Sequence, residues 1–261
     1  MKLVALPAFT DNYIWMLHDG VRAVVVDPGD AAPVLKALQG LQLTLDAILV
    51  THHHLDHTGG LPGLRGVLKG KVYGPAREAI EGVDIKVREG DRLQVLGLDF
   101  TVWDTPGHTA GHVSYIAQPA DGLPWPQGLV FCGDTLFSAG CGRLFDGTHE
   151  QLFTSLDRYA GLPDATWLCP THEYTLSNLR FAQAVEPDNP AITDAMSRCD
   201  RLREREQPTL PTTVVAERAI NPFLRCREPA VVAQALNHGA ADGSAQTVFT
   251  ALRQWKNTYR A

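Results

Sequence analysis

Four histidines and one aspartate fall within positions 52–57, in the stretch Thr51-His52-His53-His54-Leu55-Asp56-His57-Thr58-Gly59-Gly60. Imidazole nitrogen and carboxylate oxygen are the donors that zinc, iron and manganese accept near neutral pH. The residues in front, Leu45-Asp46-Ala47-Ile48-Leu49-Val50, are aliphatic and partly β-branched and read as a short buried strand. The histidines therefore sit where a strand gives way to a loop, and Gly59 and Gly60 let the chain turn sharply after them. His52, His54, Asp56 and His57 are the expected metal ligands. Alternate spacing sends His52 and His54 to one side of an extended chain and His53 to the other.

The same arrangement recurs along the chain. Apolar runs lead into Asp104-Thr105-Pro106-Gly107-His108, into Gly133-Asp134-Thr135 and into Cys169-Pro170-Thr171-His172. Taken singly, His108 or His112 reads equally well as a buried hydrogen-bonded imidazole, and Asp134 as a turn residue. Four strand ends each carrying such a group make accident improbable, because ligands bind where strands end and loops converge. Seven donors are too many for one tetrahedral zinc. Three imidazoles, His52, His54 and His108, suit one ion; Asp56, His57 and His172 suit a second; the two oxygens of Asp134 suit a bridge. Two divalent ions about 3.5–4 Å apart share a water whose pKa falls toward ~7, which makes hydroxide available for hydrolysis of an activated carbonyl or phosphoryl group. Zinc is the expected metal, with iron and manganese as alternatives. The chain contains no GxSxG, P-loop or GxGxxG pattern, and His172-Glu173 lacks the second histidine of HExxH.

The elements that must position these groups are legible in outline. Residues 2–5, 13–18 and 23–27 read as strands, with Asp27-Pro28-Gly29-Asp30 closing the third. Residues 31–39 have helical spacing, and 60–68 are expected to be helical despite Pro62 and Gly63. Strands are expected at 71–73, 83–87, 92–95 and 98–103, the last two forming a hairpin across Leu96-Gly97, and again at 113–117, 129–132 and 166–168. A helix over 149–160 starts at Thr148 as its cap. Beyond residue 174 the texture becomes helical, with helices expected at 176–185, 191–206, 214–218, 230–236 and 246–258, punctuated by prolines. A domain change is placed near 173, giving domains 1–172 and 173–261.

A chain of 261 residues accommodates one large domain or one domain and a smaller one. The net charge of −6 disfavours non-specific nucleic-acid binding. No apolar run reaches membrane-span length, and Pro7 and Asp11 interrupt the N-terminus as a signal peptide. The cysteines, 132, 141, 169, 199 and 226, are odd in number and lack CxxC spacing, so neither a disulfide framework nor a cysteine zinc site is expected, and the reducing cytoplasm is the expected compartment. A monomer acting on a small molecule, with no nucleic-acid or membrane partner, is the resulting expectation.

The His-His-His-Leu-Asp-His run resembles the HxHxDH signature of the metallo-β-lactamase superfamily. Asp11-Asn12-Tyr13-Ile14-Trp15, Thr105-Pro106-Gly107-His108-Thr109, the segment 133–143, Thr171-His172-Glu173-Tyr174-Thr175 and Asn221-Pro222-Phe223-Leu224-Arg225 together resemble the glyoxalase II (hydroxyacylglutathione hydrolase) family. The resemblance covers nearly the whole chain. It implies an α/β fold, an αββα four-layer sandwich with a two-metal site at one edge, followed by a small all-helical C-terminal domain that helps bind glutathione. It also implies hydrolysis of S-(D-lactoyl)glutathione to D-lactate and glutathione, with the metal-bridging hydroxide as nucleophile. Arg143 and Phe145 follow Gly-Cys-Gly where many members carry Lys and Tyr, so one substrate hydroxyl contact is missing here. Tyr174 matches the family's Tyr after His-Glu, and Arg253 and Lys256 match its C-terminal Arg-x-x-Lys. Spaced three apart on a helix, those two share a face and are expected to grip a glutathione carboxylate. Rival readings are a persulfide dioxygenase, disfavoured by residues 175–261, a class B β-lactamase, an RNA-processing nuclease, disfavoured by the negative charge, and an inactive metal-binding regulatory protein, disfavoured by the intact ligand set.

Overall fold

The structure, a computed structural model, describes residues 1–260, which form two compact units. The first comprises Met1–Thr105, Gly111–Gly133 and Ala165–Glu173; the second comprises Pro106–Ala110, Asp134–Asp164 and the chain from Tyr174 on.

Two mixed sheets build the first unit. One runs in the order β1-β2-β3-β4-β5-β6, with β1 at Lys2–Ala8, β2 at Asn12–His18, β3 at Arg22–Val26, β4 at Thr44–Leu49, β5 at Leu68–Pro75 and β6 at Ile85–Val87. Its first three strands are antiparallel neighbours, and β3 through β6 are parallel. Every residue of β2 is buried, as suits a strand covered on both faces. Helix α1 (Ala31–Leu41) starts at Asp30, whose side chain accepts from the Ala32 amide, and buries Val34 and Leu38 in a core with Ile14, Met16, Val25 and Ile48.

The other sheet contains, in order, β13 (Trp167–Pro170), β10 (Leu129–Gly133), β9 (Val113–Ala117), β8 (Leu98–Asp104) and β7 (Arg92–Val95). The β7–β8 hairpin turns through Leu96 and Gly97, both at positive φ, the twist that two-residue hairpins require. Hydrogen bonds stitch the two sheets at their ligand-bearing ends: Tyr115 Oη donates to the Val50 carbonyl (2.9 Å), Trp15 Nε1 to the Pro170 carbonyl (2.9 Å) and the Val113 amide to the Thr51 carbonyl (3.0 Å).

The expected helix at 60–68 does not form. A single turn stands there instead, α3 (Leu61–Leu64), preceded by another, α2 (Leu55–Thr58), and β5 already begins at Leu68. Gly60 fixes where α3 starts: its amide donates to the Pro28 carbonyl (2.9 Å) and a Cβ there would lie 2.5 Å from the same oxygen, so the chain is pressed against the 28–30 turn.

The second unit holds a short hairpin, β11 (Leu136–Phe137) and β12 (Gly140–Cys141), and helix α4 (His149–Ala160), whose Thr148 and Gln151 form a capping box. Beyond them come α5 (Thr175–Val185), α6 (Pro190–Arg203), β14 (Thr212–Thr213), α7 (Val214–Ile220), α8 (Pro229–Asn237) and α9 (Ala245–Thr258). Helix α6 stops at Arg203 rather than 206; Glu206 adopts a left-handed conformation (φ 56°). The hairpin tip Ala139 is buried with Leu179, Ala182, Ile192 and Ile220. Residues 134–164 thus belong to the same compact unit as the C-terminal helices. Among the described residues all five cysteines are free and buried, and no helix is long and apolar enough to cross a membrane.

Candidate metal centre

Leu49 ends β4, and the chain beyond it delivers His52 and His54 with the His52 Nε2 and His54 Nδ1 atoms 3.1 Å apart. Asp56 and His57 then ride on the turn of α2 rather than on extended chain. That turn brings them to His172, which follows β13: one ligand atom each of Asp56, His57 and His172 lies within 4.8 Å of the other two. Asp56 Oδ2 stands 3.5 Å from His57 Nε2 and 3.4 Å from His172 Nε2. In the second unit His108 Nε2 lies 3.5 Å from Asp134 Oδ2. Imidazole nitrogens and carboxylate oxygens brought this close are a donor set that fits a divalent cation.

Four of the five rings, all but His54, have a partner at the far nitrogen, the arrangement that fixes tautomer and orientation in metal sites. His172 Nδ1 bonds Asp11 Oδ1 (2.8 Å), His108 Nδ1 bonds the Arg143 carbonyl (2.8 Å) and His52 Nδ1 bonds Thr51 Oγ1 (3.0 Å). His57 Nδ1 lies 3.1 Å from Asp27 Oδ2. Asp27 also accepts from the Thr51 amide (2.7 Å) and the Thr51 hydroxyl (2.8 Å), and the amide of Asn12 donates to Asp56 Oδ2 (3.0 Å). Asp27 is 2% exposed and adopts φ 54°, a left-handed conformation that Asp tolerates better than most residues. Its place in the site was not read from the sequence, where Asp27-Pro28-Gly29 signals only a turn. The signal was present: Asp27 follows an apolar strand just as the ligands do.

His53 points elsewhere, its Nδ1 3.0 Å from Glu78 Oε2, and His112 is buried with Nδ1 2.9 Å from Thr105 Oγ1.

The candidate substrate residues differ in what they offer. Arg143 is exposed, Phe145 is 67% exposed with its ring edge-on to His108 (centroids 5.1 Å), and Tyr174 stands edge-on to Phe137. Lys256 reaches the Ser177 carbonyl (3.3 Å) and lies 5.1 Å from the Phe181 ring centroid; burial, helped by the nearby Arg253 charge, pulls its ammonium down to about 8. Arg253 departs from the expected open clamp. It is 2% exposed, Nη1 donates to the carbonyls of Cys141 (2.9 Å) and Gly142 (3.3 Å), and Nη2 donates to Asn257 Oδ1 (3.1 Å). The face that Arg253 shares with Val248, Phe249 and Leu252 is the buried face of α9.

Comparison with known proteins adds the family. A family model described as "Metallo-beta-lactamase superfamily" matches residues 9–172, and one described as "Hydroxyacylglutathione hydrolase C-terminus" matches residues 173–259. The hydroxyacylglutathione hydrolase of Albidiferax ferrireducens is 57% identical over 99% of this chain and 100% of its own length, and that of Pseudomonas fluorescens is 50% identical over the same shares. The chain belongs to the hydroxyacylglutathione hydrolase family. Its fold is that of the metallo-β-lactamase superfamily: ETHE1 from Myxococcus xanthus superposes with a TM-score of 0.67 at 25% identity, covering 100% of this chain and 93% of that one. Family membership makes the chain an enzyme, a thioester hydrolase, and the histidine–aspartate groups suit the divalent metal such a fold carries.

Proposed function

We propose that the chain is a dinuclear-metal thioester hydrolase that cleaves S-(D-lactoyl)glutathione to D-lactate and glutathione, the second step of methylglyoxal detoxification. The observation that carries this reading is the grouping of Asp56, His57 and His172, with His57 and His172 anchored at the opposite nitrogen by Asp27 and Asp11. In this reading His52, His54 and His108 would hold one ion and Asp56, His57 and His172 the other, with Asp134 as a further carboxylate ligand. Zinc suits the donor set, and iron and manganese are accepted by the same ligands. When bound, the ions supply Lewis acidity toward the thioester carbonyl and hydroxide at neutral pH.

The chain's own residues supply the rest. Thr51, Asp27, Asp11 and the Arg143 carbonyl keep the imidazoles in the tautomers that leave a lone pair facing the ions. The acyl carbon gains oxygen as the C–S bond breaks, and glutathione leaves as a thiolate, which needs no general acid at neutral pH. Lys256 and Arg143 meet substrate carboxylates, Tyr174 donates a hydrogen bond, and Phe145 offers an apolar face where a tyrosine would add a hydroxyl. Arg253 acts on the substrate from behind, through the 141–142 backbone it holds. Residues 1–172 supply the metal chemistry and 173–261 the glutathione grip. The five buried free cysteines suit a reducing cytoplasm, and a monomer suffices for every role assigned.

Elemental analysis of chelator-free protein, paired with S-lactoylglutathione turnover, tests the reading. More than one equivalent of transition metal with rapid hydrolysis is expected. One equivalent under metal excess sinks the dinuclear site, and loaded protein without thioesterase activity sinks the substrate.

A further inference from the structure

Glu217, on α7, is a fully buried carboxylate that the proposed chemistry does not use. Four donors surround it: Ser138 Oγ and Thr212 Oγ1 on Oε1 (2.8 Å each), the Ala139 amide (2.8 Å) and Asn221 Nδ2 (3.0 Å) on Oε2. Among the described residues no cation pairs with it. Burial pushes its carboxyl up, and the four hydrogen bonds pull it back. A buried carboxylate without a counter-ion persists only when its acceptor sites are filled, and two donors on each oxygen come close to filling them.

Three of those four donors, all but Thr212, belong to or touch the tip of the β11–β12 hairpin. Ser138 and Ala139 form that tip, and Ala139 sits at φ 55°, a conformation alanine avoids unless its surroundings hold it. Asn221 also reaches the carbonyls of Phe137 (3.2 Å) and Gly140 (2.9 Å), and Asn178 reaches that of Ser138 (3.1 Å). The hairpin emerges from Asp134 and runs into Gly142 and Arg143. A Cβ on Gly142 would fall 2.0 Å from the Asp134 carbonyl oxygen and 3.1 Å from His108 Nδ1, so the returning strap lies directly on both. The next carbonyl, that of Arg143, is the partner of His108 Nδ1. A shift at the tip therefore reaches Asp134 and His108 through a short, closely packed stretch of backbone.

We infer that Glu217 is a positioning residue for metal binding: from the helical part of the chain, it fixes the hairpin that sets Asp134 and His108. The inference rests on the metal-ligand reading of those two residues, and it adds that their geometry is set by a carboxylate on α7.

The test compares metal affinity, by competition with a chromogenic chelator, and S-lactoylglutathione kinetics in full-length variants. Glu217→Ala is expected to weaken metal binding about tenfold, at the low end for residues that support ligands, and to lower kcat while KM changes less than threefold. Glu217→Gln is the rescue. Its remaining oxygen accepts from the Ala139 and Asn221 N–H groups, which can only donate, and its amide donates to the Ser138 and Thr212 hydroxyls, which can rotate to accept. Affinity and kcat within threefold of wild type are expected. A folded Glu217→Ala protein with wild-type affinity and kcat overturns the inference, as does a glutamine variant as weak as alanine. If Glu217→Ala does not fold, Ser138→Ala, which removes one donor and keeps the carboxylate, decides: a several-fold loss of affinity supports the inference and no loss overturns it. The wild-type metal count tests the dinuclear reading separately, since every variant is compared with wild type whatever that count is.

Discussion

At the scale of single residues, the donors are ordinary and their supports are not. Asp27 joins His57 to Thr51, the partner of His52, through one carboxylate, so removing a lone pair there disturbs the supports of two candidate ligands together. Asp27→Asn sets an amide N–H against either the His57 ring or the Thr51 donors, and outer partners of this kind are typically worth 10–100-fold in metal affinity. Metal titration of Asp27→Asn should show a loss in that range, whereas His53→Ala, whose ring faces Glu78, should titrate like wild type. Lys256 sets a pH dependence. Its ammonium titrates at about 8, so its charge is present at pH 7 and lost by pH 9. KM for S-lactoylglutathione should therefore rise as pH passes about 8, and Lys256→Met should show a raised KM without that inflection. The effect on stability runs the other way. The folded-state value lies below the unfolded value of about 10.4, so between the two the unfolded chain binds more protons and this residue's contribution to stability rises with pH.

At the scale of elements, legibility followed the range of the forces. Helix α4 was readable because its cap is local: Thr148 and Gln151 lie three residues apart and satisfy each other. Thr148→Ala should cost about 1 kcal/mol, a melting-temperature drop of roughly 2–4 °C for a chain of this size. The strands ending at His52, Asp134 and His172 were readable because each is a compact apolar run bounded by polar residues. What escaped were features decided by distant backbone. The turn at Gly60 depends on the Pro28 carbonyl, and the short hairpin at 136–141 depends on Glu217 and Asn221. Arg253 shows the same limit. Three-residue spacing placed it on a face with Lys256, but only packing reveals that the face is turned inward and the guanidinium is spent on carbonyls. A solvated clamp would raise KM alone. A residue holding the strap over Asp134 and His108 should alter both constants, so Arg253→Ala is expected to lower kcat at least tenfold as well as raise KM, read from saturation kinetics at fixed metal loading.

At the scale of the whole molecule, bound metal would tie stretches of chain far apart in sequence, such as 56–57 and 172, to the folded state. A ligand that binds only the folded state stabilises it by RT ln(1 + [L]/Kd), about 4 kcal/mol at a thousandfold excess over Kd. Stripping the ions with chelator should lower the melting temperature by roughly 10 °C, and readdition of zinc should restore it. A metal-free protein that melts with the loaded one would mean that the donors are held in place without the ions.

The bond from His172 to Asp11 spans 161 residues. A chain leaving the ribosome exposes Asp11 and the 52–57 histidines long before their last partner is made. Until His172 emerges, the cluster of Asp56, His57 and His172 is incomplete, and an ion caught by Asp56 and His57 alone would be held by a partial set that exchanges readily. Capture of an ion by that cluster would therefore come after most of the first unit exists. A nascent chain arrested before residue 172 should bind one equivalent of metal fewer against a mild chelator than the finished protein, because the group of Asp56, His57 and His172 is not yet complete.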